Sequence, residues 1–173
     1  MKTILIAAIT LDGKIARKPV EAVTWTSKKD KSFFKKETQK AGVSILGLNT
    51  YKTIAKNPFT KTLHIVMTHS PEKFAAKTKP GILEFTKSTP KKILKNLTSR
   101  GFKKAVISGG SEIYTAFLKA DLIDEIYLTI IPKTFGKGIP LFKEINIKPT
   151  DFKLFNTTKL GPNEILLQYK KSH

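Results

Sequence analysis

Short runs of β-branched and aliphatic residues alternate with helical segments along nearly the whole chain, and this alternation most limits what it can fold into. Strands are expected over Ile4–Ile9, Val43–Leu46, Leu63–Met67, Ile82–Phe85, Ala105–Ile107 and Glu125–Ile131. Helices are expected over Ser27–Ala41, Asn49–Ala55 and Thr89–Thr98, and from the glycines at 109–110 through Leu118. Alternation of this kind predicts an α/β fold with a largely parallel central sheet and flanking helices. The last two strands, Phe152–Thr158 and Glu164–Tyr169, are separated by Gly161-Pro162-Asn163 and should close an antiparallel hairpin. Pro71–Pro80 is the loosest stretch, and no repeat or linker divides residues 1–173, so a single domain is expected.

The bulk composition narrows the function classes. The 173 residues are 40% hydrophobic, enough for a globular core. Cysteine is absent, which removes disulfides and thiolate metal sites. The apolar run after Lys2 stops at Thr10 and Asp12 with no cleavage pattern, and no segment reaches membrane-span length. A cytoplasmic protein is expected. The net charge of +19 invites a nucleic-acid partner. Its distribution argues against one: the 32 basic residues are lysine except for Arg17 and Arg100, and they are spread along the chain. A solvated lysine surface that attracts anionic small molecules accounts for the pattern better.

Three junctions stand where a strand runs into a helix or loop. Ile107-Ser108-Gly109-Gly110-Ser111 joins a strand to a helix through paired glycines, which let a backbone approach a ligand while the helix start offers N–H groups to a phosphate. It is neither a GxGxxG fingerprint nor a Walker loop. Gly47 ends a strand before Asn49 and Thr50, and Thr68-His69-Ser70 follows another. Together they would line a crevice at the carboxyl ends of the strands.

Asp30 is the most telling acid. Ser27-Lys28-Lys29-Asp30 fits a capping box, yet Phe33 and Phe34 share a helical face with Asp30, as they would beside a pocket carboxylate. Burial there should raise its pKa. Thr129 is a polar residue in a mostly apolar strand. His64 lies within a strand and reads as structural. No metal constellation and no Ser-His-Asp arrangement is present.

These segments resemble the dihydrofolate reductase superfamily, which includes the riboflavin-pathway pyrimidine reductases. The resemblance covers roughly residues 3–142 and rests on Ile6-Ala7-Ala8-Ile9-Thr10-Leu11-Asp12-Gly13-Lys14-Ile15-Ala16, Leu46-Gly47-Leu48-Asn49-Thr50-Tyr51, Ile107-Ser108-Gly109-Gly110-Ser111-Glu112-Ile113-Tyr114 and Tyr127-Leu128-Thr129. It implies a dihydrofolate reductase-like fold binding NADPH and a small-molecule substrate, as a monomer or homodimer. It further implies catalytic roles for Asp30, Thr129 and Trp25, and substrate contacts from Ile6, Ala7, Asp30, Phe34, Ile54 and Ser108. The implied cofactor contacts are Ala8, Ile15, Gly47, Thr50, Thr68, Ser108, Gly109, Gly110, Ser111 and Tyr114. The segment Asp12–Thr24 corresponds to the mobile loop over the active site.

The match is a mosaic. The substrate-carboxylate arginine of dihydrofolate reductases has no counterpart in Pro58-Phe59-Thr60-Lys61-Thr62-Leu63. Leu48 replaces a common basic residue for the cofactor 2′-phosphate, and Lys31 replaces an apolar pocket residue. Leu11–Ala16, Leu122–Ile126 and Gly136–Phe142 look more like the pyrimidine reductases. The first expectation is NADPH-dependent reduction of 7,8-dihydrofolate to tetrahydrofolate, with Asp30 assisting protonation. The alternative is a riboflavin-pathway reductase of a phosphoribosylamino-pyrimidine, and the distant one a basic nucleic-acid-binding module.

Overall fold

The computed structural model describes residues 1–54 and 61–172. The expected helix end at Ala55 and the stretch Pro58–Thr60 lie outside the described residues. The chain opens with β1 (Lys2–Thr10) and a short β2 (Lys14–Ala16), then α1 (Lys28–Ala41), β3 (Val43–Gly47), α2 (Leu48–Ile54) and β4 (Leu63–Met67). It continues through β5 (Leu83–Thr86), α3 (Pro90–Ser99), β6 (Lys104–Gly109), α4 (Ser111–Lys119) and β7 (Glu125–Ile131). A two-residue β8 (Ile139–Pro140) and the hairpin β9 (Phe152–Lys159) and β10 (Ile165–Lys171) complete it.

Eight strands form one sheet in the order β5-β4-β3-β6-β1-β7-β10-β9. The first six are parallel, and β10 and β9 add on antiparallel. The expected mixed, mostly parallel sheet with a C-terminal hairpin is therefore present. β1 lies in its interior, and its alternating side chains feed two cores. Leu5 and Ala7 join Ile107, Ile93, Leu97, Ile113 and Phe117 on one face. Ile4 and Ile6 join Val106, Tyr127 and Leu166 on the other, where Phe33 and Phe34 of α1 pack.

Helix boundaries follow their caps. Ser27 Oγ accepts from Asp30 N, and Thr89 Oγ1 accepts from Lys92 N ahead of Pro90. α1 stops at Gly42, whose φ of 75° suits glycine. The sequence does not foretell β2 and β8, which pair with each other across more than a hundred residues. Pro71–Lys77 is a 3₁₀ helix where the sequence reads as loose. Phe74 on that segment stacks on Phe85 at 4.9 Å, a tertiary contact invisible to local pattern.

Phe117 is fully buried, whereas Phe155 on β9 is half exposed. Phe117→Ala should therefore lose about 3–5 kcal/mol of stability and Phe155→Ala less than about 1 kcal/mol. Urea unfolding midpoints at unchanged m-value measure the contrast.

Candidate functional site

The pairing of β1 with β6 runs only from Lys2↔Lys104 to Leu5↔Ile107, while β1 stays paired to β7 as far as Thr10↔Ile131. β1 and β6 thus part near their carboxyl ends. The Ile6 carbonyl is taken up by the buried Tyr114 hydroxyl of α4, which donates to it at 2.8 Å. Burial pushes the Tyr114 phenol well above its ordinary pKa, so it remains a donor. Such a split in an open α/β sheet, at the carboxyl ends of its strands, is where ligands bind.

On the β6 side the glycine residues crowd together with the residues expected to hold a cofactor. Gly109 has φ 103°, and a Cβ there would meet the Tyr114 hydroxyl at 3.0 Å. A Cβ on Gly110 would sit 3.4 Å from Thr50 Oγ1, and one on Gly47 3.0 Å from Ile113. The Gly109–Gly110 peptide is cis. Leu46 pairs with Gly109 after a bulge that contains Ser108, and Ser108 Oγ is hydrogen-bonded to Ser44 Oγ at 2.7 Å. Ser111 opens α4 nearly buried, with an Oγ that has no partner among the described residues. Bare backbone, an orphan hydroxyl and a helix start fit the phosphates and ribose of a dinucleotide. Thr68 ends just past β4, two strands out from β6, on the same sheet edge.

On the β7 side stands Asp30. It is 8% exposed in the first turn of α1. Burial raises its pKa above 3.8 against the opposing pull of the Thr129 and Thr26 hydroxyls; Glu164 adds to the rise and Lys31 opposes it. Thr26 lies close enough to influence the carboxyl but makes no well-formed hydrogen bond there. Thr129, whose hydroxyl acts on the acid, lies directly across from Ala8 of β1. Ile6 and Ala7 precede Ala8 where β1 and β6 separate. Phe33 and Phe34 are half-buried on the core face of Tyr127, whose ring lies 6.2 Å from that of Phe33.

The remaining expected residues are more dispersed. The Trp25 indole meets Phe135 edge-on at 5.1 Å. Arg17 stacks over the other partner, with its guanidinium carbon 5.4 Å from the Phe135 ring centre. The Phe135 loop is held by Asp12, whose carboxylate accepts from Thr10 Oγ1, Phe135 N and Gly136 N. Those bonds, the Thr10 hydroxyl foremost, keep the Asp12 carboxyl below its ordinary pKa. Ile15 on β2 packs against the main core, and Ile54 ends α2 half-buried. Among the described residues no group of three or more His, Asp or Glu could hold a metal, and no helix is long and apolar enough to cross a membrane.

Two features lie outside the sequence expectations. Asp12 organises the loop from 133 to 136, and only the Leu11–Ala16 motif hints at its importance. Glu164 reaches the surroundings of Asp30 from the β9–β10 turn, a placement no local signal carries.

Known proteins give this geometry a context. The uncharacterized protein YwjB of Bacillus subtilis (strain 168) is 29% identical over 167 residues, 92% of each chain. The solved deaminase/5-amino-6-(5-phosphoribosylamino)uracil reductase of Thermotoga maritima superposes with TM-score 0.77 at 20% identity, over 99% of this chain and 56% of that one. A dihydrofolate reductase of Enterococcus faecalis, complexed with NADP(H) and RAB-propyl, superposes with TM-score 0.72 at 21% identity over 99% and 97%. Both share the fold. The model of the RibD C-terminal domain matches residues 1–166, so the chain belongs to the RibD C-terminal domain family, on the dihydrofolate reductase-like fold its motifs resemble.

Proposed function

We propose that this chain is an NADPH-dependent reductase of a phosphoribosylated aminopyrimidine, the substrate type named for the reductase half of the Thermotoga maritima protein. One observation carries it: in a RibD C-terminal domain, β1 and β6 part between a glycine cradle and a buried acid. The sequence motifs alone put dihydrofolate first; the family match over residues 1–166 supports the pyrimidine ahead of it. The Asp30–Thr129 pair keeps dihydrofolate as the second reading.

NADPH, when bound, supplies the hydride. Gly47, Thr50, Ser108, Gly109, Gly110, Ser111 and Tyr114 hold its phosphates and ribose, and Ala8 and Ile15 orient its ring. Thr68 meets its far end. Asp30 stays protonated to higher pH than an exposed aspartate and donates to the reduced substrate, with Thr129 fixing the carboxyl. The lysine-rich surface draws in a phosphorylated substrate.

The deciding assay follows NADPH oxidation with the phosphoribosylamino-uracil and with dihydrofolate, side by side. Turnover of the pyrimidine alone is expected; turnover of dihydrofolate alone would reverse the order, and turnover of neither would remove the proposal. Asp30→Asn should lower kcat by about 10²–10⁴-fold. The same variant should be more stable than wild type near pH 7. The folded state raises the Asp30 pKa, so the cost of its buried charge is absent below the unfolded pKa and grows as pH rises through the folded one. The gap in Tm should therefore close as pH falls below about 4. Gly109→Ala places a Cβ against Tyr114 at positive φ. It should weaken NADPH binding by about tenfold or more, read by fluorescence titration, and lower stability by about 1 kcal/mol or more.

A further inference from the structure

The central sheet divides the candidate site into two faces. On β3, Val43 and Ile45 join the core that α3 and α4 cover, so Ser44 between them points to the α1 face. The same alternation puts Ile107 of β6 with α4 and Ser108 with α1. The 2.7 Å bond between Ser44 Oγ and Ser108 Oγ joins the two hydroxyls on that face. A Cβ on Gly47 or Gly109 would instead meet Ile113 or Tyr114 of α4. The bare backbone of the glycine cradle therefore opens on the α4 side, whereas the Ser108 hydroxyl lies on the α1 side. Phe33 and Phe34 pack on that same side beside Tyr127, and Thr129, two residues further along β7, meets the Asp30 carboxyl there. Ser108 on β6 and Thr129 on β7 flank β1.

The two serines are unequally placed. Ser44 is 2% exposed on an interior strand. Ser108 is half-buried at the bulge, unpaired on β3 because Ile45 pairs with Ile107 and Leu46 with Gly109. Among the described residues, Ser108 is the one hydrogen-bond partner of the Ser44 hydroxyl. If Ser108 were the donor, the Ser44 proton would be buried with no acceptor, which is costly. Ser44 therefore donates. That fills one lone pair of Ser108 Oγ and leaves the Ser108 proton free for the crevice. Accepting a bond from Ser44 also polarises the Ser108 O–H and strengthens the bond it gives in turn.

Resting on the reductase reading, we infer that Ser44 is a positioning residue that fixes the Ser108 hydroxyl as a donor to an acceptor atom of the substrate, across β1 from Asp30. Ser108 then serves both ligands by different atoms: its backbone belongs to the cofactor cradle, and its hydroxyl reads the substrate. Ser44 touches neither ligand. It sits on a rigid strand and steadies a side chain that springs from an irregular one.

The test compares Ser44→Ala, Ser108→Ala and the double variant. The Kd for NADPH, from fluorescence titration, should stay within about twofold of wild type in all three, since no hydroxyl is removed from the cofactor side. KM for whichever of the pyrimidine and dihydrofolate is turned over should rise about fivefold in Ser108→Ala and about threefold in Ser44→Ala, the scale of one neutral hydrogen bond. The kcat of Ser44→Ala should stay within about twofold of wild type. The double variant should show no larger rise in KM than Ser108→Ala, because Ser44 acts only through Ser108. Ser44→Cys keeps a weak donor of similar shape and should recover part of the loss. A wild-type KM in Ser44→Ala, additive effects in the double variant, or a loss of NADPH affinity that matches the rise in KM each overturns the inference. A wild type that reduces neither substrate overturns the reductase reading and the substrate role of the pair with it. Turnover without coupling between the two serines overturns the inference alone.

Discussion

The placement of β1 between two parallel neighbours is the constraint on which the rest depends. Parallel pairing to both β6 and β7 commits its two faces to separate cores, so α1 must cover one side and α3 and α4 the other. The two ladders also end at different heights. The longer β7 ladder carries Thr129 to Ala8, while the shorter β6 ladder releases the chain in time for Gly109 to turn under Tyr114. A glycine junction and the strand residue beside a buried acid are thereby brought to one edge by strand register.

Asp30 shows how one position can cap a helix with its backbone while its carboxyl is buried elsewhere. The cap of α1 uses the Ser27 hydroxyl and the Asp30 backbone N–H, 3.1 Å apart. Among the described hydrogen bonds the carboxyl does not return to the Ser27 N–H, so only half of the capping box is formed. That leaves the carboxyl facing Thr129, where burial outweighs the neighbouring hydroxyls and holds the proton longer. Had both hydroxyls made ideal bonds to the carboxylate, its charge would have been stabilised and its use as an acid weakened. An imperfect contact from Thr26 is therefore consistent with the chemistry, because it keeps the protonated form competitive.

Much of this was legible from local pattern. β4 and β7 have the expected boundaries, and α1 and α3 begin one residue later than expected because Ser27 and Thr89 are caps rather than helical residues. The glycine junctions at 47 and 109–110 are visible because a strand, a glycine and a helix leave a signature within a dozen residues. What local pattern misses is fixed by contacts across the chain. β2 forms because β8 meets it, and Trp25 turns toward Phe135 because Asp12 has anchored that loop. Phe33 and Phe34 pack half-buried on the Tyr127 side of the sheet, with the Phe33 and Tyr127 rings 6.2 Å apart, a contact set by tertiary packing. Glu164 is unreadable because its facing depends on the register of β10 against β7.

The charge balance gives the two acids beside α1 their meaning. With 32 basic and 13 acidic residues, cations are abundant around every carboxylate. Accordingly Glu125, Glu21, Glu37, Glu84, Glu112 and Asp121 each hold a lysine or arginine. Asp12 and Asp124 bind backbone N–H groups and hydroxyls instead. Among the described residues, Glu72, Glu144 and Asp151 lack such partners, but all three are exposed and hydrated. Asp30 is buried and Glu164 half-buried, and neither forms an ion pair among the described residues. Pairing either with a lysine would stabilise its charge and fix it as a carboxylate. In a strongly basic chain, Asp30 is thus a buried acid without an ion pair among the described residues, and burial favours its protonated form.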